Sequence, residues 1–245
     1  MMKLVSLNTW GGTLNDLLLA FFEAHQHIDF FLLQEVYLNA TERTNWDNRG
    51  NPNLFIDLQK TLPGHTGFYA PAQDGEYGLA SFIKKGIKIE DQGDVFIHRS
   101  RDAMIGTDAS TLGRNLQYFK IGGIKPFTLM NFHGLWTGQG KLDTPERIAQ
   151  SERIVEFARG TMGDFILTGD FNLMPETESI HILEGMNVRN LIKDHGITKT
   201  RTSYYKKTPD AYADYTFVTP GIEVKEFRVL PDEVSDHSAL YLEFN

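Results

Sequence analysis

The 245-residue sequence contains no cysteine. This absence excludes a disulfide framework, a thiolate zinc site and a cysteine nucleophile, and it is typical of a reducing compartment. Long apolar runs are also missing, since the longest one, residues 17–22, is too short to cross a bilayer. The N-terminal segment has no signal-peptide pattern either. We therefore expect a cytoplasmic protein that does not bind membranes.

Positive charge is scarce as well. The chain has 24 Lys and Arg against 32 Asp and Glu, so its formal charge is −8. This balance argues against a protein that coats nucleic acid through a basic surface, although an enzyme with a local basic groove is compatible with it. With 41% apolar residues and no linker or low-complexity segment, we expect one domain over residues 1–245 and no obligate protein partner.

Common catalytic motifs are absent in the same way. The sequence has no Gly-x-Ser-x-Gly elbow, no Walker loop, no Gly-x-Gly-x-x-Gly after a strand and no His-Glu-x-x-His. These absences disfavour a serine hydrolase, a nucleotide-loop enzyme and a zinc protease. Any catalytic chemistry therefore rests on other polar residues.

Strand-like runs dominate what is present. Runs rich in Val, Ile, Phe, Leu and Tyr, separated by Gly, Pro, Asn and Asp, predict strands. They cover residues 3–8, 29–35, 66–70, 77–84, 87–97, 115–122, 126–133, 164–169, 213–219, 222–230 and 238–244. Such strands with a few helices predict an α/β sandwich, in which two sheets pack together and helices lie outside. Residues 39–53 and 98–113 are predicted as long polar loops.

Helical signals are fewer. Thr13 is a candidate cap for a helix that ends at His25, and the Asp-Thr-Pro-Glu segment at 143–146 is a favourable start for one that ends at Gly160. A short helix is predicted over residues 175–185. In the helix that ends at Gly160, the inward face is predicted to be apolar and to comprise Ile148, Ile154, Val155 and Ala158. The polar residues, predicted on the outer face, are Arg147, Gln150, Arg153 and Glu156.

Polar residues end several of the apolar runs, and this placement predicts a site. Asn8, Glu35, His133 and Asp170 each end or directly follow a strand-like run, where a strand would open into a loop. Asn172 points the same way as Asp170 if the chain is extended there. Carboxylate, amide and imidazole groups are what hard cations and phosphoryl oxygens require. The set therefore predicts metal-assisted cleavage of a phosphoester.

A further polar cluster, Ser235-Asp236-His237, lies near the C-terminus. Because Asp236 and His237 are adjacent, a loop has to present them to different parts of one site. Asp236 is a candidate to bind a metal or a metal-bound water, and His237 is a candidate to contact a phosphate or to help activate water. Asp214 is unusual inside a strand-like run, and holding the His237 imidazole in one orientation would account for it.

Each of these residues also has a plainer interpretation. Taken alone, Glu35 is more often a strand-end carboxylate in ordinary solvent. The pair Asp170 and Asn172 matches a turn as well as it matches a site. His133 is compatible with a structural hydrogen bond to a neighbouring loop.

A basic stretch with aromatic residues lies at 199–207. Its basic residues Lys199, Arg201, Lys206 and Lys207 flank Tyr204 and Tyr205 without an acidic residue between them. Such a segment can follow a phosphate chain and stack on bases, which makes Lys199, Arg201 and Tyr204 candidate substrate contacts. A solvated loop is the commoner explanation for a segment of this kind.

Together the motifs resemble those of the endonuclease/exonuclease/phosphatase superfamily. The similarity rests on Asn8, Gln34-Glu35, Asn131-Phe132-His133, Gly169-Asp170-Phe171-Asn172, Ala213-Asp214-Tyr215 and Ser235-Asp236-His237, in the superfamily's order over nearly the whole chain. The superfamily includes deoxyribonuclease I-like nucleases, tyrosyl-DNA phosphodiesterases, inositol-polyphosphate phosphatases and neutral sphingomyelinases. One scaffold serves all these substrates, so the substrate does not follow from the resemblance.

The resemblance implies a four-layer α/β sandwich with the site at one edge and a bound Mg²⁺ or Mn²⁺ ion. By the same similarity Glu35 is the chief ligand of the ion, and Asn8 and Asp236 lie close to it. The helix after the His133 strand carries Arg147 and is loosely similar to the tyrosyl-DNA phosphodiesterase branch, which adds Arg147 to the candidate substrate contacts. Tyr212-Ala213 departs from the pattern, because many members have Arg-Ile there.

The resemblance also implies the catalytic roles. Asp170 would orient or deprotonate the attacking water, and Asn172 would help to position it. His133 and His237 would contact the phosphoryl oxygens, with Asp214 holding His237. Whether Asp170 or the Asp214–His237 pair is the base stays open at this level.

These expectations combine into a metal-dependent phosphoesterase. More specifically, we expect a phosphodiesterase that hydrolyses nucleic acid or a nucleotide-like ester by in-line attack of water. One alternative is a small-molecule phosphatase acting on a sugar or inositol phosphate. Another is a non-catalytic ligand-binding module on the same scaffold, which the complete set of polar positions disfavours.

Overall fold

The structure, a computed structural model, describes residues 1–41, 50–106, 108–161, 163–206 and 211–245. The strands are β1 (Met2–Asn8), β2 (Phe30–Tyr37), β3 (His65–Gln73), β4 (Tyr77–Lys84), β5 (Ile89–His98), β6 (Arg114–Ile121), β7 (Phe127–His133), β8 (Asp164–Asp170), β9 (Arg189–Asn190), β10 (Asp214–Val218), β11 (Val224–Val229) and β12 (Leu240–Phe244). The helices are α1 (Asn15–Ala24), α2 (Leu54–Thr61), α3 (Pro145–Gly160), α4 (Glu178–Glu184) and α5 (Leu191–Asp194). Lys207 and part of the predicted loop at 39–53 lie outside the described residues.

The strands form two six-stranded sheets, which confirms the predicted α/β sandwich. The first sheet has the order β11-β12-β1-β2-β4-β3 and the second β5-β6-β7-β8-β10-β9. Each contains a central parallel pair, β1 with β2 and β7 with β8, among antiparallel neighbours. The carboxyl ends of a parallel pair lie at the same edge of a sheet. The register accordingly sets Asn8 beside Gln34 and His133 beside Asp170.

Alternation along the central strands divides the core into two layers. Leu4 and Phe30 belong to the larger cluster, which includes residues of both sheets and of α3 and α4, whereas their neighbours Val5 and Phe31 belong to the cluster that includes α1 and α2. This follows from the two-residue period of a strand, which sends successive side chains to opposite faces. The Phe30 ring contributes about 1.5–3 kcal/mol by burial. Replacing it with alanine would cost about 3–5 kcal/mol.

Helices cover the outer face of each sheet and complete four layers. Leu18 and Phe22 of α1 and Leu54 of α2 pack in the same cluster as β1 and β2. Ile154 of α3 and Ile180 of α4 pack in the cluster that contains β7 and β8. Among the described residues, every helix is too short or too polar to cross a membrane.

The structure confirms the predicted start of one helix and corrects that of another. The predicted start of α3 is confirmed, because the Thr144 side chain accepts a hydrogen bond from the Arg147 amide and Pro145 occupies the first turn. Thr13, in contrast, does not cap α1. Its hydroxyl donates instead to the Trp10 carbonyl across a short 3-10 turn, and α1 begins at Asn15. The strand β9 and helix α5, two and four residues long, are too short to give a periodic signal.

Candidate active site

Asn8 joins two carboxylates where the sheets meet. Its amide nitrogen Nδ2 donates to Glu35 Oε1 at 3.0 Å and to Asp170 Oδ2 at 2.9 Å. Its amide oxygen is turned away and accepts the Trp10 amide at 2.9 Å. The proximity of Asn8 to an ion stays a prediction. The structure shows that Asn8 links Glu35 and Asp170 across the sandwich.

Three residues at this edge have left-handed backbones. Trp10, Glu35 and Asn172 have φ values of 51°, 56° and 54°. A non-glycine residue in this region costs on the order of 1–3 kcal/mol, and such conformations cluster at functional sites. Glu35 lies where the register between β2 and β4 shifts, so a bulge aims its carboxylate out of the strand. The side chain is 28% exposed.

Asp170 is buried at the end of β8 and is fixed on both oxygens. Its Oδ2 accepts the bond from Asn8, and its Oδ1 accepts the backbone N–H of Asn172 at 2.8 Å. Gly169 allows this geometry, because its φ is +145° and a Cβ there would lie 2.0 Å from the Phe132 carbonyl oxygen. Burial opposes the charged form, but nearby His237 and Arg201 outweigh it and lower the pKa of Asp170 below its ordinary value. The carboxylate is therefore ionised near neutral pH.

His237 and Asp214 form the predicted pair. The ring nitrogen Nδ1 of His237 lies 2.9 and 3.0 Å from the two oxygens of Asp214, while Nε2 faces Asp170 Oδ2 at 3.5 Å. An ionised carboxylate accepts hydrogen bonds, so Nδ1 donates. Burial and Arg201 oppose the charge on His237, but Asp214 with Asp170 and Asp236 raises its pKa above the ordinary value.

His133 is paired with a cation, Arg114, whereas His237 is paired with a carboxylate. Arg114 Nη1 lies 3.2 Å from His133 Nδ1, and a guanidinium can only donate. Nδ1 is therefore the acceptor, and Nε2 carries the ring proton. This Nε2 lies 3.7 Å from both Glu35 Oε1 and Asp170 Oδ2. Burial and the Arg114 charge lower the pKa of His133 well below its ordinary value, so the ring is neutral.

Arg201 lies beside His237 because two backbone segments pair. Arg201 and His237 form an isolated antiparallel bridge, and the Thr202 amide donates to the Asp236 carbonyl at 3.2 Å. Arg201 Nη1 also donates to Asp236 Oδ2 at 3.0 Å. The side chain is only 8% exposed, and its Nε has no hydrogen-bond partner among the described residues.

The donor set fits a hard divalent cation. Carboxylate oxygens of Glu35 and Asp170 lie within 4.8 Å of each other. Asp236 Oδ1 is buried and accepts no hydrogen bond from the described residues. Burial raises the pKa of Glu35, and the Asn8 hydrogen bond offsets this only in part. Carboxylates that are partly desolvated and close to one another gain most from a cation, and oxygen ligands suit Mg²⁺ or Mn²⁺.

These groups line a cleft of about 650 Å³. Glu35, Asp170, Asp236 and both histidines form its polar centre, and the predicted residues Asn172, Arg201 and Tyr204 line it too. Tyr205 and Lys206 of the predicted basic stretch line it as well. Its walls also contain residues that were not predicted from the sequence, among them Arg114, Lys141, Trp136, Tyr37 and Tyr77. Asp214 lies behind His237 rather than in the wall.

Two candidate substrate contacts lie elsewhere. Lys199 is exposed and is not among the residues that line the cleft. Arg147 is buried on the inner face of α3, so the prediction that it belongs to a polar outer face is wrong. Its guanidinium donates to the carbonyls of Leu135, Gly140 and Leu142. Arg147 thus binds the backbone of the segment 134–142, which carries Trp136 and Lys141 into the cleft.

Gln150 is likewise buried and not outward-facing. Its Oε1 accepts the Leu135 amide at 3.0 Å. The polar residues of α3 therefore satisfy backbone groups of a neighbouring loop. Helical periodicity does not reveal such partners. The pattern of apolar and polar residues does not distinguish a polar side chain that is buried and hydrogen-bonded from one that is solvated.

Comparisons with known proteins agree with this architecture. The profile of the Endonuclease/Exonuclease/phosphatase family matches residues 5–237. No curated protein sequence matches the chain.

Several solved structures share the fold at low sequence identity. The mannosyl-6-phosphatase of Bacteroides thetaiotaomicron is 20% identical with a TM-score of 0.77, over 100% of both chains. The TDP2 protein of D. rerio, solved with a single-strand DNA product, is 17% identical with a TM-score of 0.75, over 100% of this chain and 98% of that one. The human Nocturnin catalytic domain, solved with a bound sulfate anion, is 18% identical with a TM-score of 0.68, over 100% of this chain and 93% of that one. At these low sequence identities, the similarities show a shared fold.

Proposed function

Because the chain belongs to the Endonuclease/Exonuclease/phosphatase family, whose members hydrolyse phosphoesters, we propose that it is a divalent-metal-dependent phosphodiesterase. Its substrate would be nucleic acid or a nucleotide-like ester, cleaved by in-line attack of water. The observation that carries the proposal is the convergence of Glu35, His133, Asp170 and His237 from four separate segments onto one cleft, with the buried Asn8 hydrogen-bonded to Glu35 and Asp170. We also propose that residues 1–245 act as one catalytic domain.

Glu35 is the chief ligand of the ion in this proposal, with the oxygens of Asp170 and Asp236 nearby. When bound, Mg²⁺ or Mn²⁺ would supply positive charge to the phosphoryl group and the leaving oxygen. Asn8 keeps Glu35 and Asp170 at a fixed separation, since one amide group donates to both. The site is thereby organised before the ion arrives, which lowers the entropic cost of binding it.

Asp170 orients the attacking water and accepts its proton. The low pKa keeps this carboxylate ionised, and two hydrogen bonds fix its direction. We assign the role of base to Asp170 and not to the Asp214–His237 pair, because Asp214 raises the pKa of His237 and so favours its protonated form, which donates a hydrogen bond. Asn172, whose backbone N–H donates to Asp170 Oδ1, helps to position the water.

The two histidines present Nε2–H groups to the phosphoryl oxygens. His237 does so with its Nδ1–H held by Asp214, and its raised pKa favours the protonated ring. His133 does so as a neutral ring, because Arg114 occupies its Nδ1 lone pair. Donors fixed in this way stabilise charge that develops on the phosphoryl group, without having to reorient during the reaction.

The cleft walls favour a nucleotide-like ester. Arg201, Lys141 and Lys206 supply positive charge, and Tyr204 and Tyr205 supply ring surfaces. Cations interleaved with aromatic rings are the usual combination in proteins that bind single-stranded nucleic acid. Within the described part of the chain, the cleft lining has four basic residues, Arg114, Lys141, Arg201 and Lys206, against three carboxylates, whereas the whole chain has a formal charge of −8, so the cleft is less repulsive to anions than the chain's net charge suggests.

The direct test is hydrolysis of a single-stranded oligodeoxynucleotide with and without Mg²⁺ or Mn²⁺. We expect cleavage that stops when EDTA removes the ion, and a loss of about 10²–10⁴-fold in kcat/KM for Asp170→Asn. Asp91→Asn is a matched control, because Asp91 is an exposed carboxylate on β5 that pairs with Lys120. No cleavage of oligonucleotides by the wild type with either ion would reject the phosphodiesterase assignment.

A phosphomonoesterase is the second candidate. The mannosyl-6-phosphatase of B. thetaiotaomicron supports it, since that protein aligns with this chain over the full length of both. Sugar and inositol monophosphates belong in the same assay. A kcat/KM for a sugar phosphate well above that for any phosphodiester would favour this candidate over the first.

A further inference from the structure

Two aromatic rings are exposed at the rim of the cleft. Trp136 and Tyr204 are 40% and 37% exposed, more than any other aromatic side chain among the described residues. Both line the cleft, although they come from segments far apart in the chain. Exposing a large ring forgoes the stabilisation of burial, so exposed rings gathered at one cleft indicate a binding surface.

Each ring is carried by a segment tied to the catalytic centre. Trp136 belongs to the segment 134–142, which follows His133 and is held by Arg147. Gly138, with a φ of +72°, lies against the indole, and a Cβ there would come within 3.3 Å of Trp136 Cη2. Tyr204 follows Arg201, and its amide donates to Thr202 Oγ1 at 3.3 Å. The rings are thus positioned relative to the groups that would bind the phosphate.

Cations lie against a third ring, Tyr205, which follows Tyr204 in the chain, and the Glu233 carboxylate accepts hydrogen bonds from Ser203 on the other side of Tyr204. The Arg201 guanidinium lies 4.2 Å and the Lys141 amine 5.3 Å from the centre of the Tyr205 ring. The carboxylates among the described lining residues are Glu35, Asp170 and Asp236, all in the polar centre. The rim therefore combines stacking surfaces with positive charge, which complements an anion that carries a flat ring.

We propose that Trp136 and Tyr204 form a stacking subsite for the nucleobase attached, through its sugar, to the phosphate that is cleaved. This inference rests on the proposed phosphodiesterase function and names the group that the rim recognises. A pyranose ring would need hydrogen-bond partners for its desolvated hydroxyls beside the stacking ring, whereas a base is recognised mainly through its flat face. The two exposed rings therefore favour a nucleobase over a carbohydrate.

Two trinucleotides that differ by one base provide the test. One carries thymine at every position, and the other carries a tetrahydrofuran abasic residue at one position, so charge and backbone are unchanged. The ratio of their kcat/KM values isolates the contribution of the base, and the abasic residue is moved through each position in turn. The proteins compared are the wild type, Trp136→Ala, Tyr204→Ala, Trp136→Phe and Leu142→Ala.

We expect the wild type to prefer the intact strand by roughly tenfold at one position, because stacking of one base on an aromatic side chain commonly contributes this much. Trp136→Ala and Tyr204→Ala should each reduce that preference severalfold, and Trp136→Phe should retain most of it. Leu142→Ala should keep the full ratio, since Leu142 is exposed on the same segment but does not line the cleft.

The outcomes separate this inference from the function on which it rests. If the wild type cleaves both strands at the same rate at every abasic position, the stacking subsite is refuted while the phosphodiesterase stands. If the wild type cleaves neither strand with Mg²⁺ or Mn²⁺, both proposals fail. If mannose 6-phosphate is the better substrate and Trp136→Ala weakens its hydrolysis, the rim binds a sugar and the nucleobase assignment is wrong.

Discussion

Replacing Arg147 with methionine should destabilise the protein severely without removing any group from the cleft wall. The Arg147 guanidinium makes four hydrogen bonds to three backbone carbonyls, those of Leu135, Gly140 and Leu142. Methionine keeps most of the aliphatic packing but donates nothing. The buried Leu135 carbonyl and the partly buried carbonyls of Gly140 and Leu142 would then lose this partner, and these bonds would no longer attach the segment 134–142 to α3.

The magnitude follows from the character of these bonds. A hydrogen bond from a charged donor contributes about 1.5–3 kcal/mol net, and an unsatisfied buried group costs about 1–3 kcal/mol. Because the bonds share one side chain and water can enter the loosened segment, the losses are not additive. We expect about 3–5 kcal/mol, a value similar to breaking a buried ion contact.

Urea unfolding followed by circular dichroism measures this loss. Arg153→Met is the matched control, since Arg153 lies on the same helix and donates to a single carbonyl, Ile97 O, at 2.9 Å. It should cost about 1 kcal/mol. If Arg147→Met instead unfolds like the wild type and mainly raises KM, Arg147 contacts the substrate and the assignment to the loop is refuted.

Two further predictions concern histidines. In Asp214→Asn, kcat/KM should fall by about 10–100-fold. Because Asp214 helps to raise the pKa of His237, the decline of activity with rising pH should begin at a lower pH in this variant. An unchanged pH profile would contradict the pairing of Asp214 with His237. His65 is 1% exposed with Nε2 at 2.7 Å from Ile28 O, and burial lowers its pKa from 6.5. The stability tied to neutral His65 is present above about pH 6.5 and is lost as the pH falls through the folded-state value. Urea unfolding at pH 7.5 and 5.5 should therefore show a smaller loss in His65→Phe than in the wild type, and equal losses would refute this.

The polar centre of the site could be predicted from the sequence because its residues stand at strand ends. Glu35 and Asp170 interrupt runs that are apolar enough for a sheet interior, and the family order of the motifs links them to His237. Strand periodicity is a strong signal, and the predicted strands mostly agree with the structure to within two or three residues. The site's location then follows from the parallel pairing of the central strands.

The cleft walls could not be predicted in the same way. Arg114 is the first residue of an ordinary strand, and only the pairing of β6 with β7 brings it to His133. Trp136 and Lys141 lie in a loop whose path depends on Arg147, a residue that appears solvated in a helical projection. The orientation of the Asn8 amide depends on the left-handed turn at Trp10, which local sequence does not specify.

Binding of the ion to Glu35 is the central claim, and calorimetry tests it without requiring a substrate. Mg²⁺ and Mn²⁺ are titrated into the wild type, Glu35→Gln and the control Glu90→Gln, which alters an exposed carboxylate that pairs with Lys88. We expect Glu35→Gln to weaken binding at least tenfold, because it removes a charged ligand and leaves the shape of the side chain intact. Glu90→Gln should bind like the wild type. Equal affinity of Glu35→Gln and the wild type for both ions would contradict the account.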